Sequence, residues 1–209
     1  MMSLDLLYFV NPMCSWCYGF GPSLRGVQTA FAGDVAITVA LGALREDTEP
    51  LRPEQKDYLR TAWRQVAEAS GQPFTFDLLD RDDFAYDTRP SCQAVLAVRD
   101  FAPAALLDYL EAVQAAFYRD NRDVTDTAIL CDLAKDVGLD RARVEAALTD
   151  PATAEALVAE YQQVTRMGVR GYPMLVAVTQ PHAIIITQGF QPPEPINVAV
   201  RDALARATG

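Results

Sequence analysis

"NPMCSWCYGFGP" occupies residues 11–22 and follows directly on the apolar run "LDLLYFV" at residues 4–10. The run is β-prone with only Asp5 interrupting it, which predicts a strand buried on both faces. Asn11 and Pro12 end that strand. Beyond Cys14, the residues Phe20, Leu24, Val27 and Phe31 recur at spacings of four, three and four, the stripe of an amphipathic helix. Cys14 therefore falls at or just before a first helical turn, and Cys17 one turn in on the same face. Three readings of such a pair are open: a redox couple, half of a zinc site, or two thiols buried in a core.

The physical setting favours the first. Unpaired backbone N–H groups and the positive end of the helix dipole stabilise a thiolate at the outer position. Cys14 is then the low-pKa nucleophile, and Cys17 can close a disulfide on it. A zinc site needs two further ligands, and only Cys92, Cys131 and the sole histidine, His182, are on offer. None of these makes a second paired spacing, so no metal is expected. Cys92 and Cys131 lie in apolar helical stripes and read as core. His182 reads as a solvated turn residue.

Gly33 is placed to end the first helix, and "VAITVAL" (35–41) supplies a second strand, completing a βαβ unit. More than a hundred residues of helical texture follow. Pro53 opens a helix through Ala67, and "TRPSCQAVLAVRDF" and "PAALLDYLEAVQAAFYRD" each read as helices with an early proline. "TDTAILCDLAKDVG" begins at the possible cap Thr125 and closes at Gly138; "DRARVEAALTD" and "PATAEALVAEYQQVTRMG" come next. Strand character returns at "MLVAVT" (174–179) and "AIIIT" (183–187), with a turn around Pro181 and His182. A last helix is expected over 193–207.

The chain has 209 residues, half of them hydrophobic and 22% charged, with a formal net charge of −10. A surface of that sign repels phosphate backbones and anionic lipid, so nucleic acid and membranes are not expected partners. No run approaches the roughly 18 apolar residues of a membrane span. The N-terminal segment lacks a basic region and a small-residue cleavage site, so a cytoplasmic location is expected. Four cysteines in a cytoplasmic chain of this length do not make a disulfide framework.

A second motif, "GVRGYPMLV" (168–176), places Pro173 just before a strand, where it costs no ladder hydrogen bond. "CSWC" after the first strand, the long helical insertion and "GVRGYP" before a hairpin together resemble the DsbA-like family of the thioredoxin superfamily. The likeness is nearest to its cytoplasmic FrnE-like members and to 2-hydroxychromene-2-carboxylate isomerases. It implies an α/β, thioredoxin-like fold (βαβ … ββα) with a large all-helical insertion. Residues 1–45 and 169–209 would form the thioredoxin-like domain and 46–168 the helical one, capping the active site.

The resemblance also implies roles. Cys14 matches the attacking cysteine and Cys17 the resolving one. Ser15 and Trp16 form the loop between them, in place of the Pro-His dipeptide of strongly oxidising members. Pro173 matches the cis-proline that faces the disulfide, a trans proline opening an edge strand being the alternative. Tyr172 matches the residue whose backbone pairs with substrate. Where many relatives hold a buried carboxylate, six residues before the nucleophile, this chain has Tyr8.

The expected activity is thiol–disulfide exchange on protein or small-molecule disulfides, in the reductase or isomerase direction, by a protein disulfide oxidoreductase that is a monomer or homodimer. No bound cofactor is expected, with glutathione as a possible co-substrate. Two alternatives accompany it: a glutathione-dependent isomerase or transferase on the same scaffold, against which Cys14 counts because those relatives carry serine there, and a chaperone-like binding protein.

Overall fold

The computed structural model describes residues 3–179 and 182–208. The run that opens the chain is strand β1 (Leu4–Val10). It pairs in parallel with β2 (Val35–Leu41), Leu4 opposite Val35 and Val10 opposite Leu41. On its other side it runs antiparallel to β3 (Met174–Thr179), which in turn pairs antiparallel with β4 (His182–Gln188). The order β2-β1-β3-β4 puts β1 inside the sheet. Both of its faces are covered, which is why its sequence is apolar almost throughout. Leu4, Leu6, Tyr8 and Val10 join the main core with Phe20, Leu24 and Val27 of helix α1 (Ser15–Ala30). Phe9 packs on the opposite face with Val164, Val169 and Val176.

Pro22 lies inside α1 and cannot donate to the carbonyl of Tyr18 one turn back. The side-chain amide of Gln72 donates to that carbonyl instead, at 3.4 Å. The helix ends at Phe31 rather than at Gly33, because Phe31 is held in the core and its carbonyl accepts from Asp34 and Val35. Gly33 serves the turn into β2, where φ is +87°.

Between β2 and β3 run α2 (Pro53–Ser70), α3 (Arg89–Phe101), α4 (Leu106–Tyr118), α5 (Thr127–Asp136), α6 (Arg141–Thr149) and α7 (Pro151–Arg166). The last helix, α8 (Pro193–Thr208), packs against α1. α2 continues three residues beyond Ala67, stopping where Gly71 adopts a left-handed φ of +71°. α5 is capped by Asp126, whose carboxylate accepts from the Ala128 N–H at 2.8 Å. Thr125 is not the cap, since its hydroxyl is held by Asp123. Asp140 and Asp150 cap α6 and α7 in the same way. Residue 181 lies outside the described residues, while His182 opens β4 opposite Thr179 rather than sitting in a turn. Cys92 and Cys131 are both buried.

α7 also braces the free edge of β2. Glu160 accepts from the Leu41 N–H at 2.7 Å and from both terminal nitrogens of Arg99, which itself donates to the Val39 carbonyl. Two backbone groups that would template another strand, the Leu41 N–H and the Val39 carbonyl, are thus satisfied by side chains. Among the described residues no helix is long and apolar enough to cross a membrane.

Candidate active site

Cys14 is the N-cap of α1, with extended backbone and no side-chain cap bond. The first-turn N–H groups are therefore available to its sulfur. The Cys17 thiol donates to Cys14, and the backbone N–H groups of Cys17 and Trp16 add to it, so the Cys14 pKa is lowered despite burial. Burial pushes the Cys17 thiol well up, and the neighbouring Cys14 pushes it further. One sulfur is thus poised as a thiolate and the other held as a thiol. Cys14 is 7% exposed and Cys17 fully buried, so an incoming group reaches the outer sulfur first.

The turn that presents Cys14 is held from three directions. The Asn11 side chain accepts from the Met13 N–H at 2.9 Å and donates to the Gly42 carbonyl at 2.9 Å and to Thr88 Oγ1 at 3.2 Å. The hydroxyls of Tyr86 and Tyr118 both donate to the Met13 carbonyl, at 2.7 and 2.6 Å. Tyr118 in turn stacks on Tyr18, with ring centroids 5.1 Å apart, and meets Trp63 edge-on at 5.0 Å. The peptide bond just before the nucleophile is thereby clamped by residues of the helical block. None of Asn11, Tyr86 and Tyr118 is singled out by sequence reasoning, because no local spacing marks them.

The second motif arrives from the other end of the chain. The Tyr172–Pro173 peptide bond is cis, and the Cys14 thiol donates to the Tyr172 carbonyl at 3.6 Å. Ser15 and Trp16 are part-buried, and the Trp16 ring lies 5.7 Å from that of Phe190. Cys14, Ser15, Trp16 and Tyr172 line one open groove of about 600 Å3, together with Leu44, Arg45, Tyr58 and Arg170. Cys92 and His182 lie outside that groove. No group of three or more His, Cys, Asp or Glu side chains among the described residues could hold a metal ion.

Gly42 leaves room for the Tyr172 ring, which lines this groove. A Cβ at position 42 would fall 1.8 Å from the Tyr172 hydroxyl, far inside contact distance. Gly42→Ala is therefore expected to swing the Tyr172 ring outward and expose Cys14. Faster alkylation of Cys14 at unchanged pH would report it, and an unchanged rate would show that the ring is no barrier.

The model of the DSBA-like thioredoxin domain matches residues 6–194. The chain belongs to that family. Its backbone superposes on a candidate protein disulfide isomerase from Nitrosomonas europaea with a TM-score of 0.89, at 30% identity and covering 98% of this chain and 99% of that one. The cytosolic disulfide reductase DsbM from Pseudomonas aeruginosa, solved with GSH, matches at 25% identity and a TM-score of 0.73, with 98% of each chain covered. Among curated proteins, the ClpXP adapter protein SpxH of Halalkalibacterium halodurans is 25% identical over 178 residues, 83% of this chain and 58% of that protein. The chain thus spans under two thirds of the length of the curated relatives that it matches. The expected thioredoxin-like α/β fold with a helical insertion is the one observed, in an oxidoreductase-type family with disulfide reductases among its structural neighbours.

Proposed function

We propose that this member of the DSBA-like family is a thiol–disulfide oxidoreductase in which Cys14 attacks and Cys17 resolves. One observation carries the reading: Cys14 caps the N-terminus of α1 beside the Tyr172 carbonyl and the cis Tyr172–Pro173 bond, while Cys17 lies fully buried one turn behind it. The Cys14 thiolate attacks a substrate disulfide, forming a mixed disulfide and releasing one thiolate. Cys17 then attacks Cys14, forming the Cys14–Cys17 disulfide and releasing the second thiol. Once Cys14 is ionised it no longer donates to Tyr172, whose carbonyl beside Pro173 is free to accept from an extended substrate backbone. Ser15 and Trp16 form the near wall, and the helices of 46–168 serve as the cap.

The direction proposed is reduction or isomerisation in the cytoplasm, with glutathione or protein thiols returning the electrons. Arg45 and Arg170 on the groove supply positive charge suited to the carboxylates of such a peptide thiol. The test is turbidimetric insulin reduction. Wild type is expected to shorten the lag, and Cys14→Ser to return it to that of the uncatalysed reaction. A wild type without activity would defeat the proposal.

A second reading has its own observation. Leu44 and Tyr58 on the groove are 43% and 67% exposed, an apolar rim that suits binding of an unfolded segment. On that reading the protein is a binding module, as the name of the SpxH relatives describes for them. Partner capture that survives Cys14→Ser would favour it.

A further inference from the structure

The Met13 carbonyl belongs to the peptide bond that leads into Cys14, and two hydroxyl groups reach it at once. Tyr86 and Tyr118 donate to it at 2.7 and 2.6 Å, with their own oxygens 3.2 Å apart. On the other edge of the same peptide the Cys14 N–H donates to the Asn11 carbonyl at 3.0 Å. A peptide unit is planar, so donors on one edge and an acceptor on the other fix its rotation. Met13, Tyr86 and Tyr118 are all buried, which keeps bulk water from serving in their place. Each hydroxyl carries one proton. When one tyrosine turns toward the other, that other still donates to Met13, so the carbonyl keeps a donor in either arrangement. Burial holds both hydroxyls above the ordinary tyrosine range, so they remain protonated donors at every working pH.

Without both donors this carbonyl would be a buried acceptor with no partner, which is costly. The backbone donors on that turn are the first N–H groups of α1, where Trp16 and Cys17 serve the Cys14 sulfur. An orphaned carbonyl would compete with the sulfur for them. We propose that Tyr86 and Tyr118 are positioning residues for Cys14, jointly keeping the Met13 carbonyl on the helical block so that the first-turn N–H groups of α1 serve the sulfur alone. The inference deepens the reading above that Cys14 is the attacking thiolate, and rests on it. Both tyrosines act through the orientation of one peptide bond, so either alone does most of the work and loss of both exceeds the two single losses combined. Besides this pair, the titratable and charged groups facing Cys14 are Cys17 on α1, Tyr8 on β1, Tyr172 ahead of β3, and Arg45, Tyr58 and Arg170 along the groove.

The pH profile of Cys14 alkylation by iodoacetamide, read by peptide mapping, tests the pair in reduced wild type, Tyr86→Phe, Tyr118→Phe and the double variant. Phenylalanine keeps each ring in place and removes only the donor. At about pH 6 each single variant is expected to react about twofold more slowly than wild type, and the double variant more than about tenfold more slowly. Toward about pH 10, where Cys14 is ionised in all four proteins, the rates are expected to converge. A loss of packing or access would slow alkylation at every pH instead. The profiles are recorded in sucrose, which favours the folded state by exclusion from the protein surface, with urea denaturation as the check on folding. Should the double variant not fold even there, the single variants decide, by a lag at about pH 6 that vanishes toward about pH 10. Equal profiles in all the folded proteins, a double variant no slower than the product of the singles, or a lag that persists at high pH would overturn the positioning role. A wild type in which Cys14 titrates like an ordinary thiol would instead overturn the activated nucleophile on which the inference rests.

Discussion

At about pH 7 a limiting amount of iodoacetamide is expected to label Cys14 while leaving Cys92 untouched, a selectivity of more than about a thousandfold. Only thiolates react, so the ratio follows the ionised fractions. The Cys92 thiol is pushed up to about 12 by burial, which leaves roughly one molecule in 10^5 ionised at neutral pH. Even an ordinary thiol near pKa ~8.5 is ionised at the level of a few per cent, and Cys14 is lowered from the ordinary value by Cys17 and by the helix N–H groups. The sign follows directly. A lowered pKa moves the onset of labelling to lower pH, so Cys14 stays reactive as the solution is acidified below the point where free thiols fall silent. Cys17, whose pKa is raised, moves the other way and should label only at high pH. Peptide mapping after a pH series measures all four cysteines at once, and Cys14 titrating with or after the others would refute the assignment.

Trp63→Ala is expected to cost about 3–5 kcal/mol of folding free energy, the range for removing a fully buried large aromatic. Trp63 is 1% exposed and meets Phe74, Phe76, Phe117 and Tyr118 at centroid distances of 6.1, 6.1, 5.5 and 5.0 Å. The cluster joins α2 to α4, and through Tyr118 it reaches the Met13 carbonyl. Urea denaturation gives the loss, and a change under about 1 kcal/mol would mean that the cavity collapses without penalty. Cys14 alkylation is expected to slow in the same variant, because the clamp on the turn loosens.

The sequence made the paired cysteines legible because their setting is local. A strand, a turn and a helical stripe within about thirty residues suffice to place Cys14 on a helix N-terminus. The "GVRGYP" motif was likewise readable as a motif, although nothing near it states that Tyr172 meets Cys14, 158 residues away. The start of α5 moved because two polar residues competed for one role. Asp126 won over Thr125 because its carboxylate reaches the Ala128 N–H, while the threonine hydroxyl was already held by Asp123. The supports of the site could not be read. Asn11 joins Gly42 and Thr88 across 31 and 77 positions, and Tyr118 reaches Met13 across 105. Each looks locally like an ordinary strand breaker or helix aromatic, and its part exists only once the helices have docked.

The two tyrosine hydroxyls on the Met13 carbonyl have a consequence for how the protein is made. A ribosome delivers Cys14 and Cys17 first, then Tyr86, and Tyr118 only after 104 further residues beyond Cys14. Until α4 emerges and folds against the sheet, the turn that presents Cys14 is unclamped, and the nascent chain carries an ordinary flexible thiol. The turn is therefore fixed only late in translation. The helices α5 to α7 and the Tyr172–Pro173 segment follow later still, so the groove around Cys14 is complete only when nearly the whole chain has been made.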